Sequence, residues 1–192
     1  VKDLRSRFLQ FEESKKEKWG VLGHSLGAMI AMQWMHDFPE DFDRIIAMSS
    51  SSRDLPIWKR LTAQSMLTVA DIFLEKSIAE REKKILGLVS NLKKNDPKII
   101  QEWQEIAQRS PVHRHVAVEQ LLGASLFKLP QIKNLKMLVL ASRADRMVSY
   151  ECSKYIAQRY HAPIAIHPTA GHDIMIDDSA WVLEKIDQWL KT

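Results

Sequence analysis

Trp19-Gly20-Val21-Leu22-Gly23-His24-Ser25-Leu26-Gly27 is the stretch on which the reading of this chain turns. Its first five residues form a short apolar run of the kind that makes a parallel strand buried on both faces. The last five fit G-x-S-x-G. Residues 26–36 then read as a helix, ended by the Phe38-Pro39 region. A serine between such a strand and such a helix sits on a sharp, strained turn with its side-chain oxygen exposed at the tip. Small residues two positions to either side let the strand and helix approach without clashing. The new helix points its first N–H groups toward the same spot. The pattern therefore predicts a nucleophile at Ser25 and an oxyanion-binding N–H at Leu26. An incidental serine in a strand–helix turn is the simpler alternative, and the flanking strand and helix argue against it.

Working outward, Val1, Leu4, Phe8 and Phe11 recur at helical spacing and predict an amphipathic helix to about Lys16. Residues 44–48 are a second buried strand, running into Ser49-Ser50-Ser51-Ser52, which reads as a polar loop near a pocket mouth. From about residue 53 to 128 strand signals vanish, and helices are predicted over 58–73, 78–92, 97–109 and 115–127. Asp96 should cap the third of these, with Pro97 at its first position. Alternation then returns: a strand over 136–141, a helix over 150–160, a strand over 163–167 and a helix over 178–191. Strand–helix alternation of this kind makes an α/β fold, a mostly parallel sheet flanked by helices. Residues 1–52 and 129–192 form its core, and residues 53–128, too long for a loop, form a helical cap insertion.

A serine alcohol needs a base, and the base needs a carboxylate to orient it. His172 lies directly after the last strand, at the carboxyl end where parallel sheets gather their active sites. Asp145 follows the strand ending near Ala141 and precedes His172 by one helix–strand unit. Asp54 and Asp173 are the rival acids, but Asp173 is adjacent to His172 and poorly placed to reach its Nδ1. Among the other histidines, His24 should point away from Ser25 and His36 ends a helix. His113 and His115 should face different directions on a helix and make a poor metal pair. His161 and His167 read as structural. Catalytic residues are thus Ser25, Asp145 and His172, with Leu26 binding the oxyanion.

The elbow from Gly23 to Gly27, the Asp145 loop and Gly171-His172 resemble the α/β-hydrolase superfamily, over most of the chain and least in the helical insert. The stretch from Gly23 to Leu61 is similar to small bacterial hydrolases of unassigned substrate. The resemblance implies a serine hydrolase that cleaves a carboxylic ester or thioester through an acyl-enzyme. An acyltransferase or lyase using the same triad is the alternative, as is an inactive truncated fragment. Family members carry a longer segment ahead of the elbow, with further strands and a second oxyanion donor. The expectation is therefore that N-terminal strands are missing and that strand 19–22 is an exposed sheet edge, a route to self-association.

Composition narrows the remaining classes. With 45% hydrophobic and 27% charged residues among 192, the chain can bury a substantial core. The net charge of +4 is spread over short pairs such as Lys83-Lys84, which reads as a solvated surface and not a nucleic-acid footprint. No apolar run is long enough for a membrane span. One cysteine, Cys152, excludes an intrachain disulfide, and a cytoplasmic location fits. No cofactor and no metal are implied, since no phosphate loop, dinucleotide fingerprint or zinc spacing occurs. Met29, Met32 and Met35 should pack in the core. Leu67, Phe73, Leu86, Leu88 and Leu121 are candidates to line an acyl pocket.

Overall fold

Side chains along a strand point alternately to the two faces of a sheet, and in this chain both sets are apolar. The structure, a computed structural model, describes residues 1–11, 18–61, 63–133 and 135–192. Four strands, β1 (Trp19–His24), β2 (Phe42–Met48), β3 (Lys136–Ser142) and β4 (Ile164–His167), form one sheet in the order β1-β2-β3-β4. Every neighbouring pair is parallel. Ile45, Ala47, Met137 and Val139 face a core built with Met32, Trp34 and Met35 of α2 (Leu26–Asp37) and Ile156 of α8 (Tyr150–Tyr160). Their neighbours Ile46, Met48, Leu138 and Leu140 face the other side, against Ile174 and Val182 of α9 (Ile174–Leu190). The α/β fold class read from the sequence holds, and the methionines of the elbow helix are core residues as expected.

At the N-terminus α1 (Lys2–Phe8) is tied to the sheet from one side. Phe8 packs edge-on to Trp19 and Trp34, with ring centroids 5.9 Å apart in each case. Asp41 accepts from Arg5 Nε at 2.7 Å and from Trp34 Nε1 at 2.7 Å. The predicted extension of this helix to Lys16 falls partly on residues 12–17, outside the described residues.

Between β2 and β3 lie α3 (Ile57–Arg60), α4 (Ala63–Leu74), α5 (Ile78–Val89), α6 (Pro97–Arg109) and α7 (Arg114–Leu126). The two ends of this helical stretch are pinned to each other: Arg53 N donates to Phe127 O at 2.7 Å and Leu129 N to Asp54 Oδ2 at 3.0 Å. Buried Arg60 donates to the carbonyls of Ala124 (2.9 Å) and Ser125 (3.0 Å), setting a cation at the C-terminal end of α7 where the helix dipole favours it. Asp96 caps α6 as predicted, accepting from Lys98 N at 3.0 Å and Ile99 N at 3.4 Å. Among the described residues, no helix is long and apolar enough to cross a membrane.

Several boundaries differ from the sequence reading. The helix expected over 58–73 is broken at Leu61, whose backbone is extended. The helix expected over 78–92 stops at Val89, because the backbone N–H groups of Asn91, Leu92 and Lys93 are taken by the carboxylate of Asp177. The last helix begins at Ile174, not at residue 178; Asp178 is a kink where φ is −153°, and its Oδ1 accepts from Trp181 N at 3.0 Å to restart the helix. Ser49 to Ser52 are fully buried, not a loop at a pocket mouth. They leave the end of a central strand, so neighbouring strand ends and the helical stretch cover them.

Candidate active site

In a parallel sheet all strand ends of one kind share an edge, and loops that leave there converge. The carboxyl ends of β1, β3 and β4 deliver Ser25, Asp145 and His172 in turn. Ser25 is the hinge between β1 and α2, at φ 52° and ψ −116°. A non-glycine residue in that region is strained and persists only when its surroundings enforce it. Here Ser25 N donates to Met48 O at 2.8 Å, and Ser25 O accepts from Ser50 Oγ at 3.0 Å and Ala28 N at 3.1 Å. Gly23 permits the close approach: a Cβ there would lie 2.5 Å from the backbone N and Cα of Ala28. Gly27 does not share this duty, since a Cβ there meets nothing within 4 Å. The expectation of two sterically required small residues therefore holds for Gly23 alone. Leu26 is the first residue of α2, and its N–H is among the helix-start donors with no partner inside the helix.

Asp145 and His172 meet. His172 Nδ1 and Asp145 Oδ2 are 2.8 Å apart, with both side chains only 3% exposed. The other carboxylate oxygen, Oδ1, accepts from Met147 N at 2.8 Å and Val148 N at 2.9 Å. A carboxylate held this way accepts the Nδ1 proton and leaves the Nε2 lone pair of His172 available as a base. Ser25 Oγ and His172 form no hydrogen bond to each other among the described residues. The elbow and the base loop are joined instead by the residue beside the serine. His24 Nε2 donates to the His172 carbonyl at 3.1 Å, and the two rings lie 4.9 Å apart. Burial, and then the nearby His172, push the His24 imidazole below its ordinary pKa, so it stays neutral. His24, expected as a bystander, is thus the contact that carries the base loop back to β1. No sequence signal announced it, because the contact spans 148 positions.

The rival residues have other duties. Asp173 caps α9 through Ile176 N at 3.3 Å, and Asp54 binds Ser52 Oγ and Leu129 N where the helical stretch begins and ends. His167 is structural: its Nδ1 accepts from Ala170 N at 2.8 Å and Thr169 N at 3.2 Å, while Nε2 donates to Asp178 at 3.3 Å. His161 ends α8 in a left-handed conformation, and His36 Nδ1 donates to Gln131 O at 2.7 Å. His113 and His115 do not face apart. Their rings stack at 5.6 Å, because His113 precedes α7 with an extended backbone and is not itself helical.

Two residues that the sequence reading passed over support the loops. Buried Asp177 accepts from Gly171 N (2.6 Å), Asn91 N (2.9 Å), Leu92 N (3.1 Å), Lys93 N (3.3 Å) and Ser90 Oγ. Burial alone would raise this carboxyl, but the converging N–H groups hold it below the ordinary range. The Asn91 side chain bonds to residues of both the acid loop and the base loop. Beside the acid loop, an apolar cleft of about 380 Å³ runs between α4 and α7, lined by Met66, Val69, Val118, Leu121, Leu122 and Met147 among others. Of the residues expected to line an acyl pocket, Leu121 lines this cleft. Leu86 and Leu88 are core residues, Leu67 is 68% exposed, and Phe73 lines a separate cavity among the helices of the insert.

Residues 1–179 match the profile of a family described as serine aminopeptidase, S33. Among solved structures, an esterase from Exiguobacterium antarcticum superposes with a TM-score of 0.74 at 13% identity, covering 99% of this chain and 72% of its own. A hydrolase from Pseudomonas aeruginosa PA01 gives 0.73 at 16% identity, covering 100% and 70%. A 2-hydroxy-6-oxo-6-phenylhexa-2,4-dienoate hydrolase from Rhodococcus sp. strain RHA1 gives 0.68 at 16% identity, covering 92% and 65%. The chain thus spans a little under two thirds of that last protein's length. At such identities the likeness establishes a shared fold. No curated protein sequence matches the chain.

Proposed function

We propose that this chain, which belongs to the serine aminopeptidase S33 family of α/β-hydrolases, supplies the catalytic triad of a hydrolase acting on a carboxylic ester or thioester. Ser25 Oγ attacks the acyl carbonyl and passes its proton to His172 Nε2. Asp145 holds the imidazole in the tautomer that can accept it. The Leu26 N–H stabilises the oxyanion at the start of α2. Collapse expels the alkoxide or thiolate, which takes the proton from His172. Water then attacks the acyl-enzyme and gives a proton to His172; collapse breaks the bond to Ser25 Oγ, which takes that proton back as the acid leaves.

The observation that carries this reading is the 2.8 Å bond between His172 and Asp145, buried on the sheet edge where strained Ser25 also lies. That Ser25 and His172 are not yet bonded is compatible with it, since catalytic hydrogen bonds often tighten only in the substrate complex. The apolar cleft at Met147 supports a small to medium apolar acyl group. Self-association is proposed at β1, a sheet edge whose Leu22 is 40% exposed.

A fluorophosphonate probe and a chain-length panel of p-nitrophenyl esters test the assignment. The expected result is labelling at Ser25, lost in Ser25→Ala, with ester turnover lost in parallel. Aminoacyl p-nitroanilides belong in the same panel, because the family takes its description from an aminopeptidase. Turnover of the amides alone would replace the ester assignment, and acyl transfer to added alcohol in preference to water would mark a transferase. A protein that labels at no serine would end the triad reading.

A further inference from the structure

We infer that Asn91, on the linker between α5 and α6, is the positioning residue that registers the acid loop against the base loop, an inference that rests on the triad assigned above. A primary amide offers two N–H donors on nitrogen and an acceptor oxygen. Asn91 spends each on these loops. Its Nδ2 donates to Ala144 O at 2.9 Å and to Thr169 O at 3.0 Å, and its Oδ1 accepts from Arg146 Nε at 2.7 Å. Ala144 and Arg146 are the two chain neighbours of Asp145. Thr169 is three residues ahead of His172. One side chain therefore touches the main chain before the acid, the side chain after it, and the loop that carries the base.

The Asn91 backbone extends the same tie. Its N–H shares Asp177 Oδ2 with Gly171 N, at 2.9 and 2.6 Å, and Asp173 N donates to Val89 O at 2.9 Å. His172 thus sits between two residues whose amides are both pinned to the 89–91 segment or its anchor. The packing is close: a Cβ on Gly171 would lie 2.4 Å from Val89 O. Arg146 closes the clamp by donating to Ser90 O at 2.8 Å and to Gly87 O. The two loops leave different strands, and their 2.8 Å bond requires that neither slide. A displacement of about 1 Å at such a site costs on the order of 10²-fold in rate.

Asn91→Ala and Asn91→Asp test this against Asp96→Ala. Alanine removes the three side-chain bonds at a partly exposed position where water reaches the freed carbonyls, so the variant folds. Aspartate instead sets a carboxylate against two carbonyl oxygens. Asp96→Ala loses the α6 cap, destabilising the same insert without touching either loop. The readouts are kcat and KM on the best p-nitrophenyl ester and the rate of fluorophosphonate labelling at Ser25. In Asn91→Ala, kcat and labelling rate should both fall roughly 10- to 100-fold, with KM within about twofold. Asn91→Asp should fall further where it folds, and Asp96→Ala should keep parental rates at a lower melting temperature. A folded Asn91→Ala that labels at the parental rate overturns the positioning role and leaves the triad standing. A parent protein that does not label at Ser25 overturns the triad, and the positioning role with it.

Discussion

Replacing Asp177 with asparagine tests whether the anchor beneath the base loop is electrostatic. The carboxylate accepts with both oxygens. Oδ2 takes Gly171 N and Asn91 N, at 2.6 and 2.9 Å; Oδ1 takes Leu92 N and Lys93 N, at 3.1 and 3.3 Å, and Ser90 Oγ. An amide must present its NH₂ to one of these groups. Either orientation leaves two backbone N–H groups facing a donor, while the Ser90 hydroxyl can rotate to accept. An unsatisfied buried donor costs about 1–3 kcal/mol, so with two of them the variant should lose roughly 2–6 kcal/mol. For a chain of this size each kcal/mol is worth about 2–4 °C, which places the drop in melting temperature at roughly 4–24 °C at neutral pH. The pH dependence adds a second check. The folded-state pKa of Asp177 is depressed, so its stabilisation is complete above the ordinary aspartate value of about 3.9. It is lost as pH falls through the lower folded value. Asparagine has no such loss, so the gap between parent and variant should narrow as the pH drops below about 4. Thermal melts across that range, with hydrogen exchange at the Gly171 and Asn91 amides, measure both effects. A variant melting within about 2 °C of the parent at pH 7, or a gap unchanged in acid, would refute the account.

Three further substitutions separate geometry from chemistry. Asp145→Asn keeps the shape but offers His172 Nδ1 an amide that can hold the wrong tautomer; kcat on the ester should fall on the order of 10⁴-fold with little change in KM, measured by steady-state kinetics. Gly23→Ala forces a Cβ to 2.5 Å from the Ala28 backbone and must displace the first turn of α2, costing about 1–3 kcal/mol and slowing probe labelling. Gly27→Ala meets open space and should melt no lower than the parent, gaining up to about 1 kcal/mol from helix propensity.

Much of the fold was legible because the two central strands are buried on both faces. Ile45 through Met48 and Met137 through Ala141 are unbroken apolar runs, the pattern of a strand covered on both faces. The placement of Ser25, Asp145 and His172 on one sheet edge was legible because each follows a strand at its carboxyl end. What the sequence hid depends on contacts distant along the chain. The end of α5 at Val89 is decided by a carboxylate more than eighty positions away, so helical periodicity overran it. The serine run 49–52 looked solvated from composition, yet its position at the end of a central strand buries it. Neither Asn91 nor Asp177 belongs to a motif, since their partners are chiefly backbone groups, which any residue type supplies.

Sheet order explains why these hidden residues matter to the site. The parallel sheet brings the strand ends to one edge but keeps β1 and β4 three spacings apart, roughly 14 Å. No imidazole spans that gap. Asp145, leaving β3, is nearer but still separated from Ser25 by β2. For the proposed triad, His172 has to be carried back across the sheet by its own loop, and the His24 bond to the His172 carbonyl brings that loop to the end of β1. A loop without regular secondary structure keeps such a course only if something outside the sheet pins it. Here the pins are the carboxylate of Asp177, the carbonyl of Val89 and the amide of Asn91, two of them on the helical insert. It follows that the insert holds the base loop in its course. Substitutions in residues 87–93 should alter turnover of every substrate alike, whereas substitutions lining the cleft between α4 and α7 should alter which acyl group is accepted.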